Sequence, residues 1–426
     1  MTKFFVKTYG CTHNQADSLE LSARLTAEGH EPVDSEGAAD IVVVNTCSVK
    51  DATEQKIRNE LSRLNGKKLL VTGCLAQSSP LTVQRFAPNA AVLGTKSQRA
   101  RLSEAFDAAV AGTAFLDISE KPVEFVPLSL VLGVSAPIRI NTGCASDCTY
   151  CSTKLARGSV QSVRPSLLVE TAEKALAAGA KELLLTSQDT GAYGLDLGSV
   201  RLPQLVEQLC GLPGDYRIRI GMCNPQHALR EADALGRILL NDKVYRFLHL
   251  PIQSGSDPVL RAMKRGYNVS QVRRVVEKLR GVVPNLSLET DVIVGYPTES
   301  EDDFEQTMAL LGELCFDVVN VSKFSPRPGT SAADLDVLRA LELKRRADAC
   351  YKLSARIACE KNAFFKGRRV RALAVEPCRN GVLCRTDEYK PLVLPAGVEL
   401  GSFVDAVVGR TGQAFLLAES FNTLPA

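Results

Sequence analysis

Cys144, Cys148 and Cys151 stand in the run NTGCASDCTYC, a C-x3-C-x2-C spacing with Tyr150 directly before the last cysteine. That spacing suits three corners of a cubane 4Fe–4S cluster, which thiolates hold. No fourth cysteine lies nearby, so one iron lacks a protein ligand. An open iron of this kind is a place where S-adenosylmethionine can chelate and be split reductively into a radical. A structural zinc knuckle is the competing assignment. Such sites usually close with a fourth Cys or His at short range, and the next histidine is His227.

A second triplet, Cys11, Cys47 and Cys74, is spaced by dozens of residues, and no local motif joins it. The elements that must position it do. Residues 4–6, 41–44 and 69–71 read as strands, the second a continuous apolar run of the kind buried on both faces. Residues 15–28 place Ala16, Leu19, Ala23 and Ala27 at helical spacing, and 50–64 is a second helix. Each cysteine falls just beyond a strand. In an open parallel α/β sheet those carboxyl ends share one edge, where ligands bind. The three thiols therefore converge and fit a second cluster with an open iron; three unrelated small residues in loops are the alternative.

Residues 112–137 are a transition containing Pro122, Pro127 and Pro137. From 138 a βα series begins, with strand candidates at 138–140, 183–185, 216–220, 247–250, 286–294 and 318–324. Helices lie between them, for example at 166–178 and 270–279. Repeats of this kind imply a parallel barrel, partial or complete, with its site at the strand carboxyl ends. The local triplet follows the first of these strands, which puts it at that mouth. After a basic helix at 341–362, short strands at 370–375, 381–385, 389–394, 403–408 and 414–418 imply a small β-barrel. The expected fold class is multidomain α/β. An open parallel α/β domain spans 1–110, a βα-barrel domain 130–360 and a small β-barrel 361–424.

A chain of 426 residues has room for roughly two to four domains. Its 45% hydrophobic and 23% charged residues are those of a soluble globular protein. The longest apolar runs, such as 41–44 and 130–132, are too short to span a bilayer, and the N-terminus lacks a signal peptide's apolar segment. Thirteen cysteines in an untargeted, cytoplasmic chain point to metal or redox chemistry rather than disulfides. Cys210, Cys223, Cys315, Cys350 and Cys359 read as small buried hydrophobes. The net charge of +3 does not argue for nucleic acid by itself. Lys366, Arg368, Arg369 and Arg371 do concentrate positive charge beside Phe364 and Phe365, suiting phosphates and bases. Core packing is the alternative for the rings, and a solvated face for the charges. Glu289 and Asp291 are two apart on one strand, so they share a face that could line the barrel lumen.

Together these stretches resemble the methylthiotransferase family of radical SAM enzymes, over essentially the whole chain. Tyr9-Gly-Cys11, Asn45-Thr-Cys47 and Gly73-Cys74 match its N-terminal domain, and 141–158, NTGCASDCTYCSTKLARG, resembles its radical SAM signature. HLPIQSGS at 249–256, DVIVGYP at 291–297 and FSPRPGT at 324–330 resemble further parts of its barrel, and the C-terminal module is similar to a TRAM RNA-binding domain. The resemblance implies two 4Fe–4S clusters, a radical SAM cluster on Cys144, Cys148 and Cys151 and an auxiliary one on Cys11, Cys47 and Cys74. It implies S-adenosylmethionine both as methyl donor and as radical source. Ser187 and Gln188, after the second barrel strand, resemble a segment contacting SAM. Tyr150, Arg219, Gln253 and Ser254 are further cofactor contacts on this reading, each with turn, packing or structural alternatives. Phe365, Lys366, Arg368, Arg369 and Arg371 would meet RNA.

The family divides by substrate. The phrase Cys151-Ser-Thr-Lys-Leu-Ala-Arg157-Gly, with Tyr9-Gly-Cys11-Thr, looks most like the branch that methylthiolates C2 of N6-threonylcarbamoyladenosine at tRNA position 37. Isopentenyladenosine in tRNA or a ribosomal-protein aspartate are the other branches, and a redox-sensing iron–sulfur RNA-binding protein is the non-enzymatic alternative. Partners are then tRNA, an electron donor and a sulfur source, with no membrane; the chain specifies neither the donor nor the source.

Overall fold

The computed structural model describes residues 1–49, 51–121, 131, 133–198 and 200–424. Lys50, Pro122, Pro127 and part of the apolar run 130–132 lie outside the described residues. The N-terminal region builds a parallel sheet from β1 (Lys3–Thr8), β2 (Glu31–Pro32), β3 (Ile41–Thr46), β4 (Leu69–Gly73), β5 (Ala91–Gly94) and β6 (Leu116–Asp117). Their order is β2-β1-β3-β4-β5-β6. On β3, Val42 and Val44 pack with Ile57 and Leu61, while Ile41 and Val43 pack on the other face with Leu21, Leu25 and Phe106. That double burial is what a central parallel strand requires. Strand order reverses between β1 and β3, and ligand crevices open at such a switch point. The four residues of β5 and two of β6 are too short to show a pattern in sequence, and β6 carries the sheet past the expected boundary at 110.

The first strand of the central region, β7 (Ser135–Arg139), begins ahead of the strand expected at 138–140, with Pro137 inside it. Among the described residues β7 pairs only with β10, so the missing N–H of Pro137 can face the other edge. A short hairpin, β8 (Asn141–Thr142) and β9 (Gln161–Ser162), brackets the local cysteine loop. There follow β10 (Glu182–Thr186), β11 (Arg217–Ile220), β12 (Phe247–His249), β13 (Ser287–Val294) and β14 (Val318–Lys323). They form two parallel sheets, β11-β10-β7 and β12-β13-β14. The Cys223 N–H donates to the His249 carbonyl at 2.8 Å where the two sheets meet. The result is a partial barrel: among the described residues β7 and β14 do not pair. Helices wrap its outer face around one large core that includes Ile138, Leu183, Ile218, Leu248, Leu288 and Val321.

Helix Ala340–Ala363 leads into β15 (Arg369–Cys378), β16 (Gly381–Thr386), β17 (Pro391–Leu394), β18 (Phe403–Thr411) and β19 (Leu416–Thr423), a closed barrel in the order β15-β16-β17-β19-β18. The expected strand 389–394 is shorter because Tyr389 has φ +62°, and the last strand is β19 rather than 414–418. This barrel docks beneath the central one, at the strands' amino ends. Arg217 pairs with Asp387 at 3.0 Å, and Asp317 with Lys390 at 2.7 Å and Lys361 at 3.2 Å. Among the described residues no helix is long and apolar enough to cross a membrane.

Candidate functional site

The local triplet sits where expected, in the loop that leaves β7 at the carboxyl end of the barrel. Gly143 turns the chain with φ +78°, and a Cβ there would run into the Ser159 carbonyl, so only glycine fits. The Cys144 N–H donates to Gly158 O at 3.1 Å, the Cys151 N–H to Cys148 O at 3.1 Å, and Lys154 Nζ to Cys144 O at 2.6 Å. Arg265 reaches in from beyond helix Asp257–Ala262 and donates to Cys148 Sγ at 3.0 Å. The same guanidinium donates to the Tyr150 hydroxyl at 3.3 Å, the Tyr267 hydroxyl at 2.9 Å and Asn224 Oδ1 at 2.6 Å. A guanidinium beside a sulfur favours the thiolate that binds metal. Burial works the other way, pushing the Cys144 thiol up to about 11 and raising Cys151. Coordination itself must supply the charge that ionises them.

The dispersed triplet is assembled by three strand ends. Cys11 caps helix Thr12–Ala27 after β1, Cys47 follows β3, and Cys74 opens helix Cys74–Ser78 after β4. Two glycines allow the close approach. A Cβ on Gly10 would lie 2.9 Å from Cys47 Cβ, and one on Gly73 (φ +95°) would strike Asn45 and the Thr46 backbone. Asn14 ties the ends together, its Nδ2 donating to Tyr9 O at 2.8 Å and Thr46 O at 3.0 Å. Burial, with neighbouring Cys74 and Cys11, pushes the Cys47 thiol up to about 12; burial also raises Cys74, against the pull of Arg157. Among the described residues no three of these side chains surround a single metal ion. A 4Fe–4S cubane takes one thiolate per iron, and three thiols at one sheet edge are a donor set of that chemistry.

Arg157 joins the two sites. It ends helix Ser152–Arg157, which begins directly after Cys151, and its Nε donates to Cys74 Sγ at 3.4 Å. Its guanidinium also donates to Asn14 Oδ1 at 3.1 Å and pairs with Asp17 at 2.6 Å. Around it Arg139 of β7 pairs with both Asp17 and Glu20, and Arg99 pairs with Glu20 at 2.7 Å. Burial raises both carboxyls, but the arginines outweigh it: Asp17 is held well below the carboxylate range and Glu20 is lowered to about 2. Neither this network nor Arg265 was anticipated from sequence. The available signal was the polar stripe Asn14, Asp17 and Glu20, one face of a helix that starts at a ligand cysteine.

The other candidates divide. Gln188 Oε1 accepts from the Gly143 N–H at 2.8 Å, so it holds the cysteine loop, and Ser187 Oγ accepts from the Asp189 N–H at 3.0 Å in a capped turn. Tyr150 packs by the cluster of Val259, Met263, Tyr296 and Phe324. Gln253 sits at φ +65° and its backbone bridges to β13. The Ser254 hydroxyl is fully buried and turned to Thr307 at 3.3 Å, away from the mouth. On β13 Leu288, Thr290, Val292 and Val294 are buried, while Glu289 and Asp291 face the half-open lumen. Arg219 also faces the lumen, over the rings of Phe247 at 5.3 Å and Tyr389 at 5.7 Å. Of the RNA candidates, Phe365 is corrected: it lies in the core of the C-terminal barrel, and Phe364 is the exposed ring, with Arg368 stacked 3.4 Å over it. Lys366, Arg368 and Arg369 are exposed, whereas Arg371 pairs with Asp215 at 3.2 Å.

Residues 3–94 match the model of Uncharacterized protein family UPF0004, and residues 138–311 that of the Radical SAM superfamily. Over 428 residues the chain is 38% identical to a probable threonylcarbamoyladenosine tRNA methylthiotransferase of Pyrococcus horikoshii, covering 98% of this chain and 99% of that protein. It is 35% identical over 356 residues to the threonylcarbamoyladenosine tRNA methylthiotransferase of Homo sapiens, covering 81% of this chain and 61% of that protein. Among solved structures, the radical S-adenosylmethionine methyltransferase TsrM from Kitasatospora setae aligns with a TM-score of 0.58 at 14% identity, over 78% of this chain and 77% of that one. That last likeness is one of fold alone. With near-complete coverage at this identity, the chain belongs to the threonylcarbamoyladenosine tRNA methylthiotransferase family.

Proposed function

We propose that the protein is a cytoplasmic enzyme that adds a methylthio group to C2 of N6-threonylcarbamoyladenosine at position 37 of tRNA, with two 4Fe–4S clusters and S-adenosylmethionine. The observation that carries this reading is the contact of two cysteine triplets through one short helix, Cys151 at its start and Arg157 on Cys74 at its end. When bound, the clusters and S-adenosylmethionine supply radical chemistry and sulfur, which an unactivated aromatic C–H bond demands and acid–base groups cannot provide. The chain's own residues hold and orient. Cys144, Cys148 and Cys151 would hold the radical SAM cluster, and Cys11, Cys47 and Cys74 the auxiliary one. Gln188 and Lys154 fix the local cysteine loop, Arg265 places a cation on Cys148, and Arg157 places one on Cys74. Tyr150, Gln253 and the turn at Ser187 stand near the mouth where S-adenosylmethionine would lie. The TRAM-like barrel offers Phe364, Lys366, Arg368 and Arg369 to the tRNA backbone and bases.

The test is anaerobic reconstitution with iron and sulfide, followed by S-adenosylmethionine, a reductant and tRNA carrying either modified adenosine. Mass spectrometry of the digested nucleosides should show a methylthio gain on threonylcarbamoyladenosine alone. Gain on isopentenyladenosine instead would keep the chemistry and overturn the substrate. No gain on either, with S-adenosylmethionine still cleaved, would turn the search to a protein substrate.

A further inference from the structure

The lumen of the central barrel is unusually polar for a protein interior. Glu182, Arg219, His249, Glu289, Asp291 and Asn320 all face it, and all but one have partners. Glu182 accepts from the Tyr245 hydroxyl at 2.8 Å. Asn320 Nδ2 donates to Glu289 at 2.7 Å and Asp291 at 2.9 Å, and His249 pairs with Asp291 at 3.1 Å. Arg219 is the exception. It forms no ion pair among the described residues, and its Nε is buried without a hydrogen-bond partner. The guanidinium lies over the Phe247 and Tyr389 rings in cation–π contact. A cation held that way keeps its planar edge of N–H donors free, in the geometry that suits a carboxylate. In the same lumen the Asp291 side chain keeps 29% of its surface exposed.

We propose that this lumen binds the threonylcarbamoyl group of the substrate adenine, with Arg219 taking its carboxylate; this rests on the reading above of the substrate. The group is of mixed polarity, as the lumen is. Its carboxylate matches the unpaired guanidinium, and its hydroxyl and carbamoyl N–H groups match the acceptors of Glu289, Asp291 and Asn320. An isopentenyl group offers none of these and would leave the N–H donors of Arg219 without a bonding partner from the substrate. Sites built to hydrogen-bond a substrate reject analogues lacking the bonding group far more strongly than apolar pockets reject an added one. Tyr389 makes the C-terminal barrel part of the site. It enters from the floor between Tyr245, Phe247 and Arg219, at ring distances of 4.8 Å and 4.9 Å from the first two, and so sets the height of the cation.

The experiment compares two anticodon stem-loops that differ only in a methyl ester on the threonyl carboxylate. Binding to the reconstituted protein is measured with S-adenosylmethionine present and no reductant, so that nothing turns over. The wild-type protein should bind the acid on the order of 10- to 100-fold more tightly than the ester. Arg219→Gln should bind the two alike, and Arg219→Lys should recover part of the preference. A wild-type protein indifferent to the ester overturns the site, and an Arg219→Gln protein that keeps the preference overturns the assignment of Arg219. If Arg219→Gln instead weakens S-adenosylmethionine binding in a separate titration, the cation belongs to the cofactor's carboxylate and the proposal fails. Should Arg219→Gln not fold, the wild-type acid–ester comparison and Arg219→Lys decide. A failure of the proposed function would show elsewhere, as a wild-type protein that never methylthiolates threonylcarbamoyladenosine.

Discussion

The two cysteine triplets reach the same kind of site by opposite routes. Cys144, Cys148 and Cys151 share one loop, pinned by hydrogen bonds among neighbours in sequence and by Gly143. Cys11, Cys47 and Cys74 share only a sheet edge, and their meeting depends on the register of β1, β3 and β4 and on Gly10 and Gly73. Each triplet has one sulfur under a guanidinium, but the guanidinia are held differently. Arg265 leans on neutral groups, Tyr150, Tyr267 and Asn224, all in its own region. Arg157 belongs to one region and answers a carboxylate, Asp17, and a thiol of another. The local site is therefore self-contained, whereas the dispersed one, though built on one sheet, takes the cation beside its sulfur from the other region.

The largest effect that would test this contrast is removal of a ligand. Cys144→Ala should abolish both S-adenosylmethionine cleavage and methylthio product, and Cys11→Ala should abolish the product. In each, iron should fall from about eight to about four atoms per chain after reconstitution. A Cys11→Ala protein retaining about eight irons would mean that the dispersed triplet holds no cluster. Next in size is Arg157→Met, which leaves the buried Asp17 with Arg139 and, at 3.8 Å, His13. Breaking a buried pair of this kind costs about 3–5 kcal/mol, read as a loss of stability in chemical denaturation. Arg265→Met strands no carboxylate and should cost less, about 1.5–3 kcal/mol. Equal losses in the two variants would break the distinction between a self-contained site and a docked one.

What the sequence disclosed follows the same division. The local triplet was legible because its spacing is itself the geometry. The dispersed one was legible because a run such as Ile41–Val44 can only be a doubly buried strand, and strand ends place whatever follows them. The face of Glu289 and Asp291 followed from the two-residue period of β13. Contacts across regions left no such trace. Nothing local in the sequence tells that Arg157 meets Cys74, or that Tyr389, lifted by a left-handed turn, enters the floor of another barrel. Phe364 and Phe365 are adjacent at a helix end, so the fold alone decides which is core and which is surface. A serine in a turn has a hydroxyl that can face a ligand or the protein, and the fold turns that of Ser254 to Thr307.

The smaller of the docking effects is a dependence on acid. Glu20 is buried between Arg139 and Arg99, and although burial raises its carboxyl, the two arginines lower it from 4.5 to about 2. A carboxyl depressed in the folded state stabilises that state fully above its unfolded value and loses the contribution as pH falls through its folded one. Glu20 should therefore contribute about 3 kcal/mol above pH 4.5, fading as the pH approaches 2. Urea unfolding of the wild type and Glu20→Gln across this window should show a stability gap that narrows as pH falls. A gap that stays constant would show that the network holds by packing rather than charge. Cys148 offers the internal contrast, because the partners that hold Arg265 do not titrate in this window. If acid loosens the loop of the local triplet as readily as it loosens the docked one, Glu20 is not what separates them.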